Sequence, residues 1–174
     1  MEKENNNNNN KRLSLIEYSS SLALFASGRS QDINTKVGAC LVNLNNKRIL
    51  STSYNGVAPN MDYPEEFNKD RDYKGKMILH AENNLFRDCL IPAGADLMVC
   101  LTISPCEACA KVMCGFGIKE VYYIQEYPRE KEFAFKKLFD FYNVKYRGLT
   151  NEEIGNMLHF TYGNLVTLKN LVKL

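Results

Sequence analysis

The sequence predicts an α/β fold, a three-layer αβα sandwich around a central mixed sheet of about five strands. Two observations carry this prediction: a pair of short strand-like segments before residue 55, and an alternation of helix-like and strand-like segments after residue 80. Such alternation is typical of sheets whose later strands run parallel through helical crossovers. At 174 residues, 45% of them hydrophobic, the chain is long enough for one well-buried domain.

The N-terminal elements can be taken in order. Residues 1–11 form an Asn-rich polar tract that we expect to be a disordered tail. Apolar residues then recur at helical spacing as far as Gly28, which predicts a helix over 12–27. Segments 37–44 and 47–54 are joined by Asn45 and Asn46, which tolerate a positive φ, so two antiparallel strands with a tight turn are expected.

The remaining elements follow an insertion. Residues 57–79 mix acidic and basic side chains without sustained periodicity and predict a long surface insertion. Thr150 and Glu153 resemble a capping box, so a C-terminal helix is expected over 150–174, interrupted at Gly163. Residues 12–174 would form a single domain. Between these parts, the sequence predicts a helix from about 81, a strand at 97–102, a helix at 106–115, a strand at 120–124, a helix at 130–141 and a short strand at 143–146.

Charge and composition narrow the functional classes. The 22 basic and 20 acidic residues are interspersed, so no strong electrostatic track for nucleic acid is visible and small substrates are favoured. No stretch approaches the length of a membrane span, and the first residues do not resemble an export leader, so a cytoplasmic location without a membrane partner is expected. In such a compartment, cysteines bind metals or pack. Four are expected mainly in the core: Cys40, Cys89, Cys100 and Cys114.

Two short motifs carry the chemistry, His80-Ala81-Glu82 and Pro105-Cys106-Glu107-Ala108-Cys109. They supply three zinc ligands, His80, Cys106 and Cys109, and one carboxylate that is not needed as a ligand. A structural zinc normally has four protein ligands, whereas a hydrolytic zinc keeps one position for water. Glu82 is therefore predicted to be catalytic, moving protons from the water to the substrate ring and the leaving amine.

The spacing of the two cysteines supports one shared ion. Cys106 and Cys109 lie three residues apart on the first turn of a predicted helix, so both sulfurs can reach the same metal. Pro105 suits a helix start, and the positive end of the helix dipole favours the thiolate forms. A lone Cys-x-x-Cys is often a structural clip. With His-x-Glu before it, however, the pattern is similar to the signature of zinc nucleobase deaminases.

Over about residues 13–147, the chain resembles the deoxycytidylate (dCMP) deaminase family of the zinc-dependent cytidine and deoxycytidylate deaminase superfamily. The matching stretches read SQDINTKVGAC at 30–40, SYNG at 53–56, HAENN at 80–84, SPCEACAK at 104–111 and GIKEV at 117–121. The resemblance implies a cytidine deaminase-like fold and the hydrolysis of dCMP to dUMP and ammonia, which supplies dUMP for thymidylate synthesis. It also implies a homohexamer, with dCTP and dTTP as candidate effectors.

The resemblance further implies substrate contacts. Asn55 would hydrogen-bond the deoxyribose, or else be a turn residue before Gly56. Lys36 would lie near the 5′-phosphate, or else be an exposed lysine at a strand edge. Family members often read Tyr-Arg at a later phosphate contact, where this chain has a proline between the two residues. The implied substrate-binding residues are Asn55, Thr35, Lys36, Ala81, Ser104, Tyr127 and Arg129.

Two departures limit what the resemblance implies. Residues 57–79 contain neither Cys nor His, so the second zinc of some family members is not expected and one Zn²⁺ per chain is predicted. Ser53 replaces a glycine, and Ala58 displaces Pro59 by one position, in a region tied to allosteric control in the family. Regulation by dCTP or dTTP therefore stays an open question.

Other functions stay open from the sequence. The same metal site could act on another cytosine nucleotide or on bases in RNA or single-stranded DNA, although binding single strands needs a charged track and stacking aromatic residues. A catalytically silent relative, in which zinc only holds the fold and the insertion mediates assembly or regulation, would have no use for Glu82. The presence of that carboxylate favours an enzyme.

Overall fold

The computed structural model describes residues 12–87, 89–127 and 134–172. The predicted tail at 1–11 lies outside these residues. In chain order, the elements are α1 Leu15–Ser27, β1 Gly38–Asn43, β2 Arg48–Tyr54, α2 Glu66–Lys69, α3 Arg71–Met77, α4 Ala81–Arg87, β3 Leu97–Ile103, α5 Glu107–Gly115, β4 Ile118–Gln125, α6 Ala134–Phe141, β5 Lys145–Gly148 and α7 Asn151–Val172.

The five strands form one mixed sheet in the order β2-β1-β3-β4-β5. Strand β1 is antiparallel to both β2 and β3, whereas β3, β4 and β5 run parallel to one another. The two parallel connections pass through α5 and α6, as short helical crossovers require. The predicted mixed sheet of about five strands, with its later strands parallel, is therefore confirmed.

Helices cover both faces of the sheet, which confirms the three-layer sandwich. On one face, Ala23 of α1 packs in a cluster with Cys40, Met98 and Tyr122 of the strands. On the other face, helices α4, α5 and α6 contribute to a larger cluster: Leu85, Met113, Phe135 and Phe139, together with Leu41, Val99 and Val121 of the strands. Because apolar groups line both faces, strands β1 and β3 are buried along almost their whole length.

Local signals explain most element boundaries. Helix α1 begins at Leu15, three residues later than predicted, because Ser14 caps it and Glu17 completes a reciprocal capping box. In the β1–β2 turn, the positive φ of 59° falls on Lys47, not on either expected asparagine. Strand β5 begins at Lys145, two residues later than predicted, after Asn143 adopts a φ of 55°.

Gly38 permits the close approach of α1 to the sheet. A Cβ atom at this position would overlap the carbonyl oxygen of Ala23. Glycine is therefore required where the last turns of α1 cross the start of β1.

Three predictions need correction. Helix α7 continues through Gly163, because an internal glycine costs a helix only about 1 kcal/mol relative to alanine. Cys89 and Cys114 are only half-buried at the edge of the core, unlike Cys40 and Cys100, which are fully buried. The insertion is not only a surface loop, because it forms α2 and α3 and buries two side chains, Phe67 and Lys74.

None of the helices in the described ranges is both long and apolar enough to cross a bilayer.

Candidate active site

The His-Ala-Glu motif lies at the start of α4, and the backbone before it is held against the end of β2. Gly56 and Leu79 exchange two backbone hydrogen bonds of 3.0 and 2.9 Å. The side-chain amide of Asn84, one turn into α4, donates a 2.9 Å hydrogen bond to the carbonyl oxygen of Tyr54. These bonds on either side of the motif fix the position of His80.

The two cysteines lie at the start of α5, just after β3. Cys106 is the N-cap residue of α5 and Cys109 is in its first turn. The connection from β3 is held by Ser104, whose backbone N–H donates to the carbonyl of Gln125 and whose hydroxyl accepts from the backbone N–H of Tyr127. Two helix starts thus bring ligands that are 26 and 29 residues apart in sequence to one place.

The geometry of the three ligand groups fits a zinc ion. His80 Nδ1 lies 3.6 Å from Cys106 Sγ and 3.4 Å from Cys109 Sγ, and all three atoms lie within 4.8 Å of one another. Tetrahedral coordination with zinc–sulfur and zinc–nitrogen distances of about 2.3 and 2.0 Å implies a nitrogen–sulfur separation of about 3.5 Å. Throughout the described ranges, this is the only group of three or more potential metal ligands that lie this close together.

The three ligand groups shift one another's pKa values. A hydrogen bond from Cys109, together with His80, lowers the pKa of Cys106 to about 4, although burial opposes this shift. The hydrogen bond with Cys106, and then burial, raise the pKa of Cys109. The hydrogen bond with Cys106 also raises the pKa of His80. A bound cation would favour both thiolates and the neutral imidazole, the forms that ligate zinc.

Glu82 is 3% exposed and lines the same cavity as His80 and Cys106. Burial is the largest influence on its carboxyl group and raises its pKa, although the positive charge of His80 opposes that shift. A carboxyl group whose pKa is raised binds a proton more readily, so it is suited to accepting and returning one. Burial at the start of α4 therefore suits Glu82 to proton transfer.

A cavity of about 300 Å³ opens over these groups. Five of the expected substrate-binding residues line it: Thr35, Asn55, Ala81, Ser104 and Tyr127. Lys36 does not line it, and its ammonium group donates a 2.5 Å hydrogen bond to the carbonyl of Ser30. Arg129 lies outside the described residues.

Asn55 is tied to the segment that precedes β1. Its side-chain oxygen accepts a 2.8 Å hydrogen bond from the backbone N–H of Val37, and its amide nitrogen donates a 2.9 Å bond to the carbonyl of Thr35. Each amide atom can form a second hydrogen bond. A ligand hydroxyl in the cavity could therefore both donate to Asn55 and accept from it.

The sequence analysis missed several residues that line the cavity. Asp32 precedes β1, whereas Arg71, Lys74 and Ile78 belong to the insertion. Arg71, Lys74 and Ile78 are spaced by three and then four residues, which places side chains on one face of a helix. This spacing is visible in the sequence and indicates that the three residues lie together. This helix face is mainly polar, so the periodicity of apolar residues does not reveal it.

Comparisons with known proteins identify the same class of zinc site in the sequence. The family model for the cytidine and deoxycytidylate deaminase zinc-binding region matches residues 13–125. A deoxycytidylate deaminase of Pongo abelii is 33% identical over 142 residues, which cover 75% of this chain and 77% of the relative. The deoxycytidylate deaminase of Mus musculus is 32% identical over 145 residues, covering 77% and 79% of the two chains.

Solved structures show the same fold. The dCMP deaminase of the cyanophage S-TIM5, in complex with dCMP and dUMP, aligns with a TM-score of 0.64 at 23% identity, over 80% of this chain and all of that one. Acinetobacter baumannii RibD aligns with a TM-score of 0.55 at 16% identity, over 79% of this chain and 35% of that one. Together, the family match, the relatives and the three-ligand site show that the chain belongs to the cytidine and deoxycytidylate deaminase family of zinc enzymes.

Proposed function

We propose that this enzyme hydrolyses dCMP to dUMP and ammonia, and so supplies dUMP for thymidylate synthesis. The observation that carries the proposal is a single cavity that is lined by Glu82, His80, Cys106 and Asn55. Its volume of about 300 Å³ is at the lower end of the range for small-molecule sites, about 300–1,000 Å³. The relatives named deoxycytidylate deaminase, which this chain matches over about three quarters of its length, support the same substrate.

His80, Cys106 and Cys109 hold the zinc in this proposal. When bound, the ion supplies the Lewis acidity that makes water a nucleophile near neutral pH. Glu82 accepts one proton from the attacking water and gives it to the cytosine ring. It then takes the second proton from the hydroxyl added to the ring and gives it to the amine, which leaves as ammonia when the C–N bond breaks. Its burial keeps the carboxyl away from bulk water and beside the reacting group in the cavity.

The remaining cavity residues bind and orient the nucleotide. Asn55 receives the deoxyribose through the hydrogen-bonding capacity that its two backbone contacts leave free. Ala81 and Ser104, which line the cavity, hold the base in this proposal, and Thr35 and Tyr127 also belong to the cavity wall. Contacts between the 5′-phosphate and Lys36 or Arg129 stay predictions from the sequence.

The alternative functions have weaker support. A formal net charge of +2 favours a small nucleotide over an RNA or DNA strand, which needs a positively charged track. A silent relative would not need a buried carboxylate beside its metal ligands, and Glu82 is such a group. Another cytosine nucleotide remains the closest competitor, and the substrate test separates it from dCMP.

The test compares four substrates. The purified, zinc-loaded protein is incubated with dCMP, dCTP, deoxycytidine and CMP while the loss of cytosine absorbance is followed. We expect dCMP to be turned over with the highest kcat/KM. Turnover of none of the four would contradict the proposed function, and a preference for CMP or dCTP would replace its substrate.

Several wider expectations belong to the same proposal. We expect one domain over 12–174, a homohexamer, a cytoplasmic location, and dCTP and dTTP as candidate effectors. Six free thiols suit a reducing compartment. Light scattering coupled to gel filtration measures the assembly, and activity assays with added dCTP or dTTP measure regulation.

A further inference from the structure

Helix α3 of the insertion forms one wall of the active-site cavity. Four residues in or directly after this helix line the cavity: Arg71, Lys74, Gly75 and Ile78. Their positions follow the i, i+3, i+4, i+7 spacing that places side chains on a single helix face. The insertion therefore presents one defined surface, carrying two cations, to whatever occupies the cavity.

One of these cations is already paired. The ammonium group of Lys74 lies 2.8 and 3.0 Å from the two carboxylate oxygens of Asp32, and both residues are buried. Asp32 also accepts backbone hydrogen bonds from Asn34 and Thr35. The pair fixes α3 against the segment that leads into β1, and its charges cancel.

Arg71 carries the second cation and is exposed at the cavity. No hydrogen bond or ion pair engages its guanidinium among the residues the structure describes. Of the other charged or metal-ligating groups that line the cavity, Asp32 and Lys74 neutralise each other, and His80, Cys106 and Glu82 belong to the metal and proton-transfer site. Arg71 is therefore the one cation of the described lining that is available to a ligand.

A set of hydrogen bonds links Asn55 to helix α3 along the cavity wall. Asn55 bonds to the backbone of Thr35 and Val37, Asp32 bonds to the backbone of Thr35, and Lys74 bonds to Asp32. Arg71 lies one helical turn from Lys74 on the same face. With the base at the metal ligands and the sugar at Asn55, as proposed above, Arg71 is the cation of the described lining that is left for the group beyond the sugar.

We propose that Arg71 binds the 5′-phosphate of the substrate and makes the enzyme select a nucleoside monophosphate over a nucleoside. This inference rests on the proposed function. A guanidinium is suited to the role because its planar set of N–H donors matches two phosphate oxygens at once. The paired Lys74 holds the helix from which Arg71 extends and is not itself the phosphate ligand.

The test compares dCMP with deoxycytidine, which lacks only the phosphate. For Arg71→Gln, we expect kcat/KM for dCMP to fall on the order of 10- to 100-fold, mainly through KM, as loss of a charge-assisted contact implies. The kcat/KM for deoxycytidine should stay unchanged, and Arg71→Lys should recover part of the loss. Lys76→Gln is the matched control, because Lys76 is an exposed cation on α3 that does not line the cavity.

The possible outcomes separate this inference from the proposed function. Unchanged kcat/KM for dCMP in Arg71→Gln, or equal losses for dCMP and deoxycytidine, would overturn the role of Arg71 alone. If the zinc-loaded wild-type protein does not deaminate dCMP, the proposed function fails, and calorimetry with dUMP and deoxyuridine then decides the inference. Tighter binding of dUMP that Arg71→Gln abolishes would support the phosphate contact. Equal affinities in the wild-type protein would refute it.

Discussion

The hydroxyl of Ser53 donates a 2.6 Å hydrogen bond to the carbonyl oxygen of Ala81, the residue between the metal ligand His80 and the carboxylate Glu82. The bond is buried and joins strand β2 to the first turn of α4. Ser53 is also the position at which this chain departs from the glycine that family members often carry. The side chain of Ser53, which a glycine lacks, thus makes a direct contact with the backbone of the His-Ala-Glu motif.

Substitution of Ser53 should weaken this contact. In Ser53→Ala, we expect the free energy of unfolding to fall by about 1 kcal/mol, the usual net contribution of one hydrogen bond. We also expect kcat to fall several-fold, because α4 is less firmly placed. Urea denaturation and steady-state kinetics measure the two effects. Ser51→Ala, on the same strand, is the control, and identical behaviour of the two variants would refute a special role for Ser53.

Removal of the proton-transfer group should separate catalysis from structure. Glu82→Gln preserves the shape of the side chain but cannot exchange a proton, so kcat should fall by on the order of 10²- to 10⁴-fold. Zinc content by elemental analysis and the circular dichroism spectrum should stay those of the wild-type protein. Glu65→Gln, at an exposed position outside the cavity, controls for the loss of one charge. Retained turnover in Glu82→Gln would contradict the assigned role.

Removal of one partner of the buried ion pair between Lys74 and Asp32 should lower the free energy of unfolding. Lys74→Met leaves the carboxylate of Asp32 buried without its counter-charge, so we expect a loss of about 3 kcal/mol in the free energy of unfolding. The double variant Asp32→Asn with Lys74→Met removes both charges and should recover much of that loss. Chemical denaturation of the wild-type protein, the two single variants Lys74→Met and Asp32→Asn, and the double variant gives the coupling. Simple additivity of the two single changes would show that the pair is not coupled.

Acid should weaken the start of α7 through Glu153. The bidentate contact with Arg147, at 2.7 Å for each oxygen, lowers the pKa of Glu153 from 4.5 to about 2. Because the pKa is lower in the folded state, this group stabilises the fold fully above about pH 4.5, and the stabilisation is lost as pH falls toward 2.

The pair is partly exposed, so solvent screening reduces the contribution to on the order of 1 kcal/mol. Between pH 5 and pH 3, the urea midpoint of the wild-type protein should fall further than that of Glu153→Gln. The exposed Glu66→Gln should follow the wild-type protein. Parallel curves for all three proteins would contradict a stabilising role for the ion pair.

The sequence was sufficient to predict the sheet and the metal ligands because both depend on strong local patterns. Strands β1 and β3 are buried along almost their whole length, and their sequences are runs of mainly apolar residues. The two motifs around His80 and Cys106 contain residue types that bind zinc, at a spacing that is typical of zinc sites. The active-site wall formed by α3 was missed because its face carries arginine, lysine and glycine, which no apolar pattern reveals. The hydrogen bond from Lys36 to the carbonyl of Ser30 depends on the conformation of the loop between them, which the spacing of residues in the sequence does not predict.

The two walls of the cavity have different structural origins. Helices α4 and α5, which carry the metal ligands and Glu82, are embedded in the core, whereas α3 comes from an insertion held at the cavity by the contact of Lys74 with Asp32. Under the proposed roles of Glu82 and Arg71, proton transfer and the phosphate contact lie in separate parts of the chain. Replacement of residues in the insertion would then change which nucleotide is accepted, while the three metal ligands and Glu82 keep their positions.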